Sequence, residues 1–333
     1  DPTSHRSSSS SSSRAIAQQG PERTETRLSN RCCLARAREE HALFSSDRAA
    51  ESRLLSELTR GVRARMLPWW PWASKPRVVT HAEHPPDQLD ISVVIPALDE
   101  ERNISRAINS VIAGCWDRSL REVIVVDGGS SDNTVKAARR LGAKVLEGKR
   151  GRARQMNTGA AAATGNLLLF LHADSQLPHG YPGIVQDAMA SSSSRPQAAW
   201  GCFESIKFDA AGSTYRVIEH GVRLRTSLFG MPYGDQALFV QRDTFKNVDG
   251  FRDIPLLEDV DLVSRLRKTG PMAIAKAPIA TSARRYEVIG PWQTVALNFC
   301  VMSGWRIGIP VQTLAAVYHS TGIKRIFGRH HTK

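Results

Sequence analysis

Five consecutive apolar residues, Leu167 to Leu171, are followed at once by the polar residues His172 and Asp174. An apolar run without alternation is typical of a strand that is buried on both faces, as in a parallel sheet. In open α/β sheets, ligands bind just beyond the carboxyl ends of the strands, so a carboxylate at this position is placed for chemistry. The alternative interpretation is that Asp174 caps the next segment through its side chain. This stretch alone leaves both interpretations open.

Strand and helix patterns alternate along the chain from Asp90 to this stretch. Strands are predicted over 91–95, 122–126, 143–146 and 167–171, and helices over 100–113, 134–141 and 152–163. This β-α-β order predicts a parallel, doubly wound sheet. The second half is less regular, with strands predicted over 197–208, 236–241, 273–276 and 281–286, and helices over 215–228, 257–268, 292–305 and 311–318. The predicted fold class is therefore α/β, doubly wound and mostly parallel, with a mixed second half.

Residues 1–89 differ in composition from the rest of the chain. Residues 7–13 are all serine, and the first 38 residues contain seven arginines and three acids. This profile is typical of an organelle transit peptide, for a chloroplast or mitochondrion, and a disordered tail is the alternative. Three indoles, Trp69, Trp70 and Trp72, indicate either an interfacial anchor or a linker. The predicted organisation is an N-terminal extension and linker over 1–89, one domain over 90–288, and amphipathic helices with a basic tail over 289–333.

The composition excludes several classes of protein. The five cysteines form no C-x-x-C pair, which argues against a disulfide framework and a structural zinc site. The formal net charge of +13 is spread out, and no run of five like charges occurs from residue 91 onward. A nucleic-acid-binding stripe is therefore not expected. Attraction to phosphorylated substrates or to an anionic membrane surface fits the charge equally well. No stretch is apolar enough to predict a transmembrane helix.

Four predicted strand ends carry polar or turn residues that should face one cleft. Residues 96–101 follow the first strand, where no G-x-G-x-x-G motif occurs, so dinucleotide binding is disfavoured. Asp127 ends the second strand, and its carboxylate is suited to accept a hydrogen bond from a ribose hydroxyl or a base, while Gly128 allows close approach of a ligand. A tight turn with a helix cap is the alternative for this loop.

The other two strand ends add cations and carboxylates. Residues 149–157 place four cations at a helix N-terminus, which predicts a diphosphate site, although some of them are expected on a solvated face. One or two carboxylates suffice for a divalent cation that bridges phosphates, and Asp174 is the candidate. Glu258 and Asp259 supply an acid at the start of a later helix, as a general base requires.

Residues 91–286 resemble family 2 glycosyltransferases of the GT-A fold. The motifs that carry the resemblance are 94–101 (VIPALDEE), 125–134 (VVDGGSSDNT), 172–174 (HAD) and 258–259 (ED). The motifs 151–157 (GRARQMN), 232–236 (PYGDQ), 254–259 (IPLLED) and 281–285 (TSARR) resemble more narrowly the "transferase 2, rSAM/selenodomain-associated" subgroup. The resemblance implies a nucleotide-diphosphate sugar donor, with a uridine nucleotide favoured, a bound Mg²⁺ or Mn²⁺ ion, and inversion at the anomeric carbon.

The resemblance also implies roles for single residues. Asp174 matches the last acid of the family's D-x-D metal motif, whereas His172 replaces the first acid and is predicted as a metal ligand, a donor contact, or neither. Asp259 matches the catalytic base, with Glu258 beside it. The implied donor-binding residues are Pro96, Ala97, Glu100, Asp127, Gly128, Arg152, Arg154, Asn157, His172 and Ala173. The implied acceptor-side residues are Tyr233, Gly234, Asp235 and Gln236.

The acceptor is not specified by these motifs. The tryptophan-rich segment and the apolar C-terminal helices favour a lipid or isoprenoid acceptor and a peripheral membrane contact, and a soluble or protein acceptor stays open. Because His172 stands where an acid is usual, the alternative function is a non-catalytic module that binds a nucleotide sugar or a membrane surface.

Overall fold

The structure is a computed structural model that describes residues 89–115, 118–190 and 197–327, with the side chains of 321–327 left out. The N-terminal extension, the tryptophan-rich segment and the basic tail that were predicted from the sequence lie outside the described residues. The transit-peptide and organelle predictions that depend on them stay predictions.

The first half of the described chain alternates strands and helices, as predicted. Its elements are β1 (Ile91–Ala97), α1 (Ile104–Gly114), β2 (Leu120–Asp127), α2 (Thr134–Arg140), β3 (Lys144–Glu147), α3 (Arg152–Ala162) and β4 (Leu167–Phe170). Strand β1 pairs in parallel with β2 and β4, and β2 pairs in parallel with β3. Because Ala97 lies opposite Asp127, the carboxyl ends of β1 and β2 are level. This register brings the loops that follow the two strands to one edge of the sheet.

The second half extends the same sheet with strands of both directions. Its elements are β5 (Ser175–Gln176), α4 (Tyr181–Met189), β6 (Trp200–Phe208), α5 (Ser213–Phe229), a 3₁₀ turn (Gly234–Gln236), β7 (Phe239–Gln241), α6 (Arg242–Asn247), α7 (Glu258–Leu266), β8 (Met272–Thr281), α8 (Arg284–Ile289), α9 (Pro291–Arg306) and α10 (Val311–Phe327). The strand order across the eight-stranded sheet is β3-β2-β1-β4-β7-β6-β8-β5.

Strand β7 is the point where the sheet becomes mixed. It runs antiparallel to both β4 and β6, whereas β6 and β8 are parallel to each other. The predicted fold class, a doubly wound and mostly parallel α/β sheet with the mixed second half of the GT-A arrangement, is therefore confirmed.

Two strands near the end of the domain were wrongly predicted. The strand predicted over 273–276 continues to Thr281, and the strand predicted over 281–286 does not exist, because α8 begins at Arg284. Pro278 lies inside β8 close to a shift of register, where a missing N–H is tolerated, so proline did not end the strand. The chain turns after Thr281 because the carboxylate of Asp209 accepts a hydrogen bond from the N–H of Ala283 (2.8 Å).

The core covers both faces of the sheet. In β4, Leu167 and Leu169 pack into one buried apolar cluster, and Leu168 and Phe170 pack into the cluster on the opposite face. The run from Leu167 is thus buried on both faces, as its lack of alternation predicted. A third cluster, built on Ile206, Phe208, Ile218, Val222 and Ala283, joins the end of β6 to α5 and to the helices that follow β8.

Candidate active site

The loops after β1 and β2 are tied together by hydrogen bonds between side chains and backbone. Asp99 accepts a hydrogen bond from the N–H of Ser131 (2.8 Å), and Glu101 accepts one from the N–H of Asn133 (3.0 Å). In the other direction, Asp132 accepts a bond from the N–H of Glu101 (3.1 Å). These three carboxylates accept hydrogen bonds from backbone N–H groups of the neighbouring loop. They therefore hold the two loops together at the sheet edge, and we do not assign them a catalytic role.

Asp127 and Gly128 lie where the second loop leaves the sheet. Asp127 is buried, and its carboxylate accepts bonds from the N–H of Gly129 (2.9 Å), the N–H of Ser130 (3.0 Å) and the hydroxyl of Ser130 (2.5 Å). Asp127 thus also closes the turn that follows β2. A carboxylate has about four lone-pair sites, so one acceptor position stays open for a nucleoside. Gly128 has no room for a side chain, since a Cβ atom there would lie 3.0 Å from Nε2 of Gln155.

Gln155 was not predicted as a site residue, yet it fixes the start of α3 against the strand ends. Its buried amide donates hydrogen bonds to the carbonyls of Ala97 (2.8 Å) and Val126 (2.8 Å). As a result, the N-terminus of α3 points at the edge where β1 and β2 end. A long amide three residues inside a helix start is a weak sequence signal, because the same residue is common on helix surfaces.

The cations of α3 go to different places. Arg152, whose side chain is 55% exposed, pairs with the buried Glu258 (3.1 Å) at the start of α7. Arg154 pairs instead with Asp253 (2.8 Å) on the surface. The side-chain amide of Asn157 bonds to both the N–H and the carbonyl of Phe251 (2.9 and 2.7 Å), so it fixes that loop. Of the three, the structure brings only Arg152 to the predicted carboxylates.

The strand end after β4 presents a histidine and a carboxylate of different character. Asp174 is half-buried, and the contact described for its side chain is a long one from the hydroxyl of Ser175 (3.5 Å). Its oxygens are thus available to a hard cation. Ala173 is buried in the core. Burial, reinforced by the positive charge of Arg152, lowers the pKa of His172 to about 3, so the ring is neutral at physiological pH.

Asp259 reaches the same place from the other half of the sheet. One of its carboxylate oxygens accepts a hydrogen bond from the N–H of Gly234 (2.5 Å), and the other accepts one from the N–H of Val260 (2.8 Å). A Cβ atom on Gly234 would lie 3.1 Å from Nε2 of His172 and 3.2 Å from Oδ2 of Asp259. The side chains of His172 and Asp259 therefore flank one point, and together with Arg152 they line one small cavity.

The start of α7 requires an unusual backbone conformation. Leu257 precedes the helix with φ of 65° and ψ of 24°, in the left-handed region that a branched side chain rarely adopts. This residue reverses the chain so that Glu258 and Asp259 form the first turn of α7. Backbone strain of this kind is concentrated at functional sites, where it is supported by the surrounding structure.

The four residues predicted on the acceptor side do not share one orientation. Gln236 is fully buried, and its amide binds Arg225 (2.9 Å) and the carbonyl of Phe203 (2.9 Å), so it is a support of the turn. The guanidinium of Arg225 also stacks on the ring of Tyr233, 3.5 Å from its centroid. Asp235 has one buried carboxylate oxygen, Oδ1, without a hydrogen-bond partner among the described residues.

The charged groups of the cleft shift the pKa values of one another. The pKa of Glu258 is raised, first by burial and then by the charge of Asp259, while Arg152 acts against this shift. Burial acts to lower the pKa of Arg152, but the carboxylates of Glu258, Asp259 and Asp174 outweigh it and hold that pKa above its usual value. Several perturbed groups in one cleft are typical of an active site. Within the described ranges no three His, Cys, Asp or Glu side chains form a ready-made metal cage.

Arg284 is a second cation of the cleft that the sequence analysis did not select. It donates a hydrogen bond to Glu100 (2.9 Å), and the charges of Glu100 and Asp174 raise its pKa against the effect of burial. Glu100 also accepts a bond from Asn103 (2.7 Å), so it holds Arg284 at the sheet edge. Pro96 lies half-buried one residue before Ala97 at the end of β1.

Comparisons with known proteins find similar sequences and folds over part of the chain. Residues 92–201 match the model of the family described as glycosyl transferase family 2. The alignment with glycosyltransferase AglE of Haloferax volcanii has 33% identity over 96 residues, and it covers 27% of this chain and 31% of that protein. The alignment with glucosyl-3-phosphoglycerate synthase of Mycolicibacterium paratuberculosis has 36% identity over 98 residues, and it covers 27% of this chain and 30% of that protein. These alignments thus span about a third of each relative's length.

Among solved structures, the mannosyltransferase PcManGT of Pyrobaculum calidifontis in complex with GDP-Man and Mn²⁺ superposes with a TM-score of 0.46 at 20% identity, over 74% of each chain. The narrower subgroup indicated by the sequence motifs stays a prediction. Over residues 92–201, this chain is thus similar to glycosyl transferase family 2.

Proposed function

We propose that the chain transfers a sugar from a nucleotide-diphosphate sugar to an acceptor hydroxyl with the help of a divalent metal ion. The observation that carries the proposal is the convergence of Asp259, Glu258, Arg152 and His172 on one cleft at the carboxyl ends of the strands. The charges of Glu258 and Asp259, and to a smaller extent that of Asp174, raise the pKa of Arg152. The cleft therefore combines a free carboxylate, a candidate base and a cation.

Asp174 is the residue that would hold the metal ion, and its nearly unengaged carboxylate fits that role. Mg²⁺ and Mn²⁺ favour oxygen ligands, and Mg²⁺ in particular keeps several waters, so one protein carboxylate plus the donor phosphates is a sufficient site. The neutral ring of His172 is compatible with a nitrogen ligand, although the cavity it lines also permits a contact to the donor. When bound, such an ion would stabilise the negative charge that develops on the departing diphosphate.

Asp259 is the proposed general base. In the transfer, the acceptor oxygen bonds to the anomeric carbon while the bond from that carbon to the diphosphate oxygen breaks, and the acceptor proton passes to the carboxylate. Each oxygen of Asp259 already accepts one backbone hydrogen bond, which fixes its position and leaves a lone pair for the proton. Attack from the face opposite the leaving group implies inversion at the anomeric carbon.

Arg152 and Arg284 are the proposed partners of the donor phosphates. Their side chains are 55% and 47% exposed, and each is oriented by a less exposed acid, Glu258 and Glu100 respectively. Guanidinium groups held in this way suit phosphate oxygens, to which they bond bidentately. Glu258 is thus proposed as a positioning residue for Arg152 rather than as a second base.

The donor nucleotide and the acceptor class remain part of the proposal. A uridine diphosphate sugar is the favoured donor, and a lipid or isoprenoid alcohol is the favoured acceptor. We place the acceptor beside the turn at Tyr233, because the N–H of Gly234 in that turn donates a hydrogen bond to Asp259. A phosphorylated small molecule is the acceptor class to compare with it.

The test measures release of nucleoside diphosphate by the full chain with Mn²⁺ over a panel of uridine and guanosine diphosphate sugars, with extracted lipids or phosphoglycerate as acceptor. We expect Asp174→Asn and Asp259→Asn each to lower turnover by about 10²-fold or more. Asp243→Asn, at an exposed acid in the first turn of α6, is the matched control and should keep full turnover.

Two results would contradict the proposal. Full turnover in either Asp174→Asn or Asp259→Asn would remove the assigned chemistry. Metal-dependent binding of the nucleotide sugar without turnover over any acceptor would instead support a non-catalytic nucleotide-sugar module.

A further inference from the structure

The C-terminal helices expose more large apolar side chains than the rest of the described chain. Trp292 and Phe299 on α9 are 57% and 72% exposed, and Ile307 in the turn after α9 is 79% exposed. Ile309 in the same turn and Val317 on α10 are 37% and 50% exposed. We call these five residues the C-terminal apolar surface.

Helix α9 carries apolar residues on its outward side as well as on the side that packs against the protein. Trp292, Ala296 and Phe299 recur at intervals of four and three residues, so they lie on one side of the helix. That side faces outward, whereas the buried residues of the helix are Thr294, Val301, Met302 and Gly304. Large exposed apolar groups of this kind mark an interaction surface.

The sequence composition of the C-terminal segment favours a partner of negative charge. Residues 288–333 contain no aspartate or glutamate, but five lysines and arginines: Arg306, Lys324, Arg325, Arg329 and Lys333. A segment that combines exposed apolar side chains with an excess of cations in its sequence fits an anionic lipid surface, which accepts the apolar groups and attracts the charge. A second copy of the chain fits poorly, because a symmetric contact would bring the same positive segments together.

We propose that the C-terminal apolar surface docks the protein on an anionic lipid bilayer. The side chains would enter the boundary between headgroups and acyl chains, with α9 and α10 lying on the membrane. None of the helices in the described ranges combines the length and the hydropathy needed to cross a bilayer.

The docking surface is connected to the candidate active site through α10. Tyr318 lies under the guanidinium of Arg285, 4.1 Å from its ring centroid, and burial raises the pKa of its hydroxyl although the charges of Arg285 and Arg152 act against this shift. Docking at this surface would therefore hold the cleft close to the lipid. Vesicle binding can be measured whether or not the chain transfers a sugar. A negative result for vesicle binding therefore does not contradict sugar transfer, and a negative result for sugar transfer does not contradict vesicle binding.

The test is sedimentation of the full chain with vesicles of phosphatidylcholine alone and of phosphatidylcholine with phosphatidylglycerol, at low and high salt. We expect binding to the anionic vesicles, weakened by salt, and little binding to phosphatidylcholine alone. The double variant Phe299→Ser with Ile307→Ser should bind the anionic vesicles about tenfold more weakly or worse, because two inserted apolar side chains are lost.

The matched control is Val217→Ser with Leu224→Ser, which removes two apolar side chains that are 57% and 43% exposed on α5. This control should bind vesicles as the unaltered chain does. Equal loss in both double variants, equal binding to both kinds of vesicle, or unchanged binding of the Phe299/Ile307 variant would overturn the proposal. The surface would instead bind a second copy of the chain if the protein did not bind vesicles, eluted as a dimer in size-exclusion chromatography, and became monomeric in the Phe299/Ile307 variant.

Discussion

Gly234 lies between the side chains of His172 and Asp259, and it has no side chain of its own to separate them. A methyl group at this position would lie 3.1 Å from Nε2 of His172 and 3.2 Å from Oδ2 of Asp259. We predict that Gly234→Ala lowers turnover by about ten- to a hundredfold, because small displacements of reacting groups are costly. Steady-state kinetics of nucleoside diphosphate release measure this effect.

Gly183→Ala provides the control for that substitution. Gly183 lies exposed on α4, and nothing lies within 4 Å of the Cβ that it would gain. Turnover should be unchanged there. If Gly234→Ala were as active as Gly183→Ala at equal stability, the gap between His172 and Asp259 would have no role in turnover.

Asp235 makes stability depend on pH in an unusual direction. Burial, with a contribution from the charges of Asp259 and Asp174 and against that of Arg225, raises the pKa of Asp235 from 3.8 to about 6. The folded state therefore holds this proton more tightly than the unfolded chain. The resulting stabilisation is complete below the unfolded pKa and is lost as the pH rises through 6.

Asp235→Asn, which cannot ionise, should therefore be more stable than the unaltered chain at neutral pH. We expect a gain of up to about 3 kcal/mol in the free energy of unfolding, since one pKa unit corresponds to about 1.4 kcal/mol. The gain should shrink as the pH falls below 6 and vanish near the unfolded pKa. Urea unfolding at several pH values measures the gain in the free energy of unfolding. A gain that is independent of pH would show that ionisation of Asp235 does not destabilise the folded state.

Position along the chain predicted which residues lie at the sheet edge, but it did not predict where their side chains point. Asp127 and Asp174 follow the ends of β2 and β4, at the edge that strand order implied. Gln236, two residues from Gly234, turns inward instead and supports the backbone. The pairing of Arg284 with Glu100 joins residues 184 positions apart, and no local pattern contains that contact.

At the scale of elements, the close approach of α3 to β1 depends on Gly159. A Cβ there would lie 2.3 Å from a methyl group of Val94 and 3.1 Å from a methyl group of Val126. We predict that Gly159→Ala lowers the free energy of unfolding by about 1–3 kcal/mol, because the helix must move away from the strands. Urea denaturation measures the loss.

The control for Gly159 is another helical glycine. Gly221 on α5 is exposed, and a Cβ added to it would meet nothing within 4 Å, so Gly221→Ala should be neutral or stabilising by up to about 1 kcal/mol. Equal effects at both glycines would contradict tight packing of α3 on β1.

Elements with strong periodicity were predicted well, and those fixed by distant contacts were not. Helix α3 begins at Arg152 as predicted, because its pattern and the glycine before it are local signals. Helix α8 replaced a predicted strand, since the turn before it depends on Asp209, which is distant in sequence. The two-residue strand β5 exists only through its pairing with β8, which no sequence window contains.

At the scale of the whole molecule, the C-terminal helices share a core with the sheet. Val295 of α9 and Tyr286 of α8 pack against the cluster that contains Ile206 and Phe208 of β6. The rings of Phe208 and Tyr286 lie 4.7 Å apart. A domain boundary at residue 289, which the sequence predicts, would divide this cluster, so we expect the C-terminal helices to unfold together with the sheet.

Two neighbouring substitutions test that expectation. Val295→Asp places a charge against the apolar cluster and should lower the free energy of unfolding of the whole domain by about 2 kcal/mol or more. Ala296→Asp adds the same charge one residue later on the exposed side of α9 and should have little effect. Thermal unfolding followed by circular dichroism compares them. If Val295→Asp left the main transition unchanged and melted only a minor part of the helical signal, the C-terminal helices would form a separate unit.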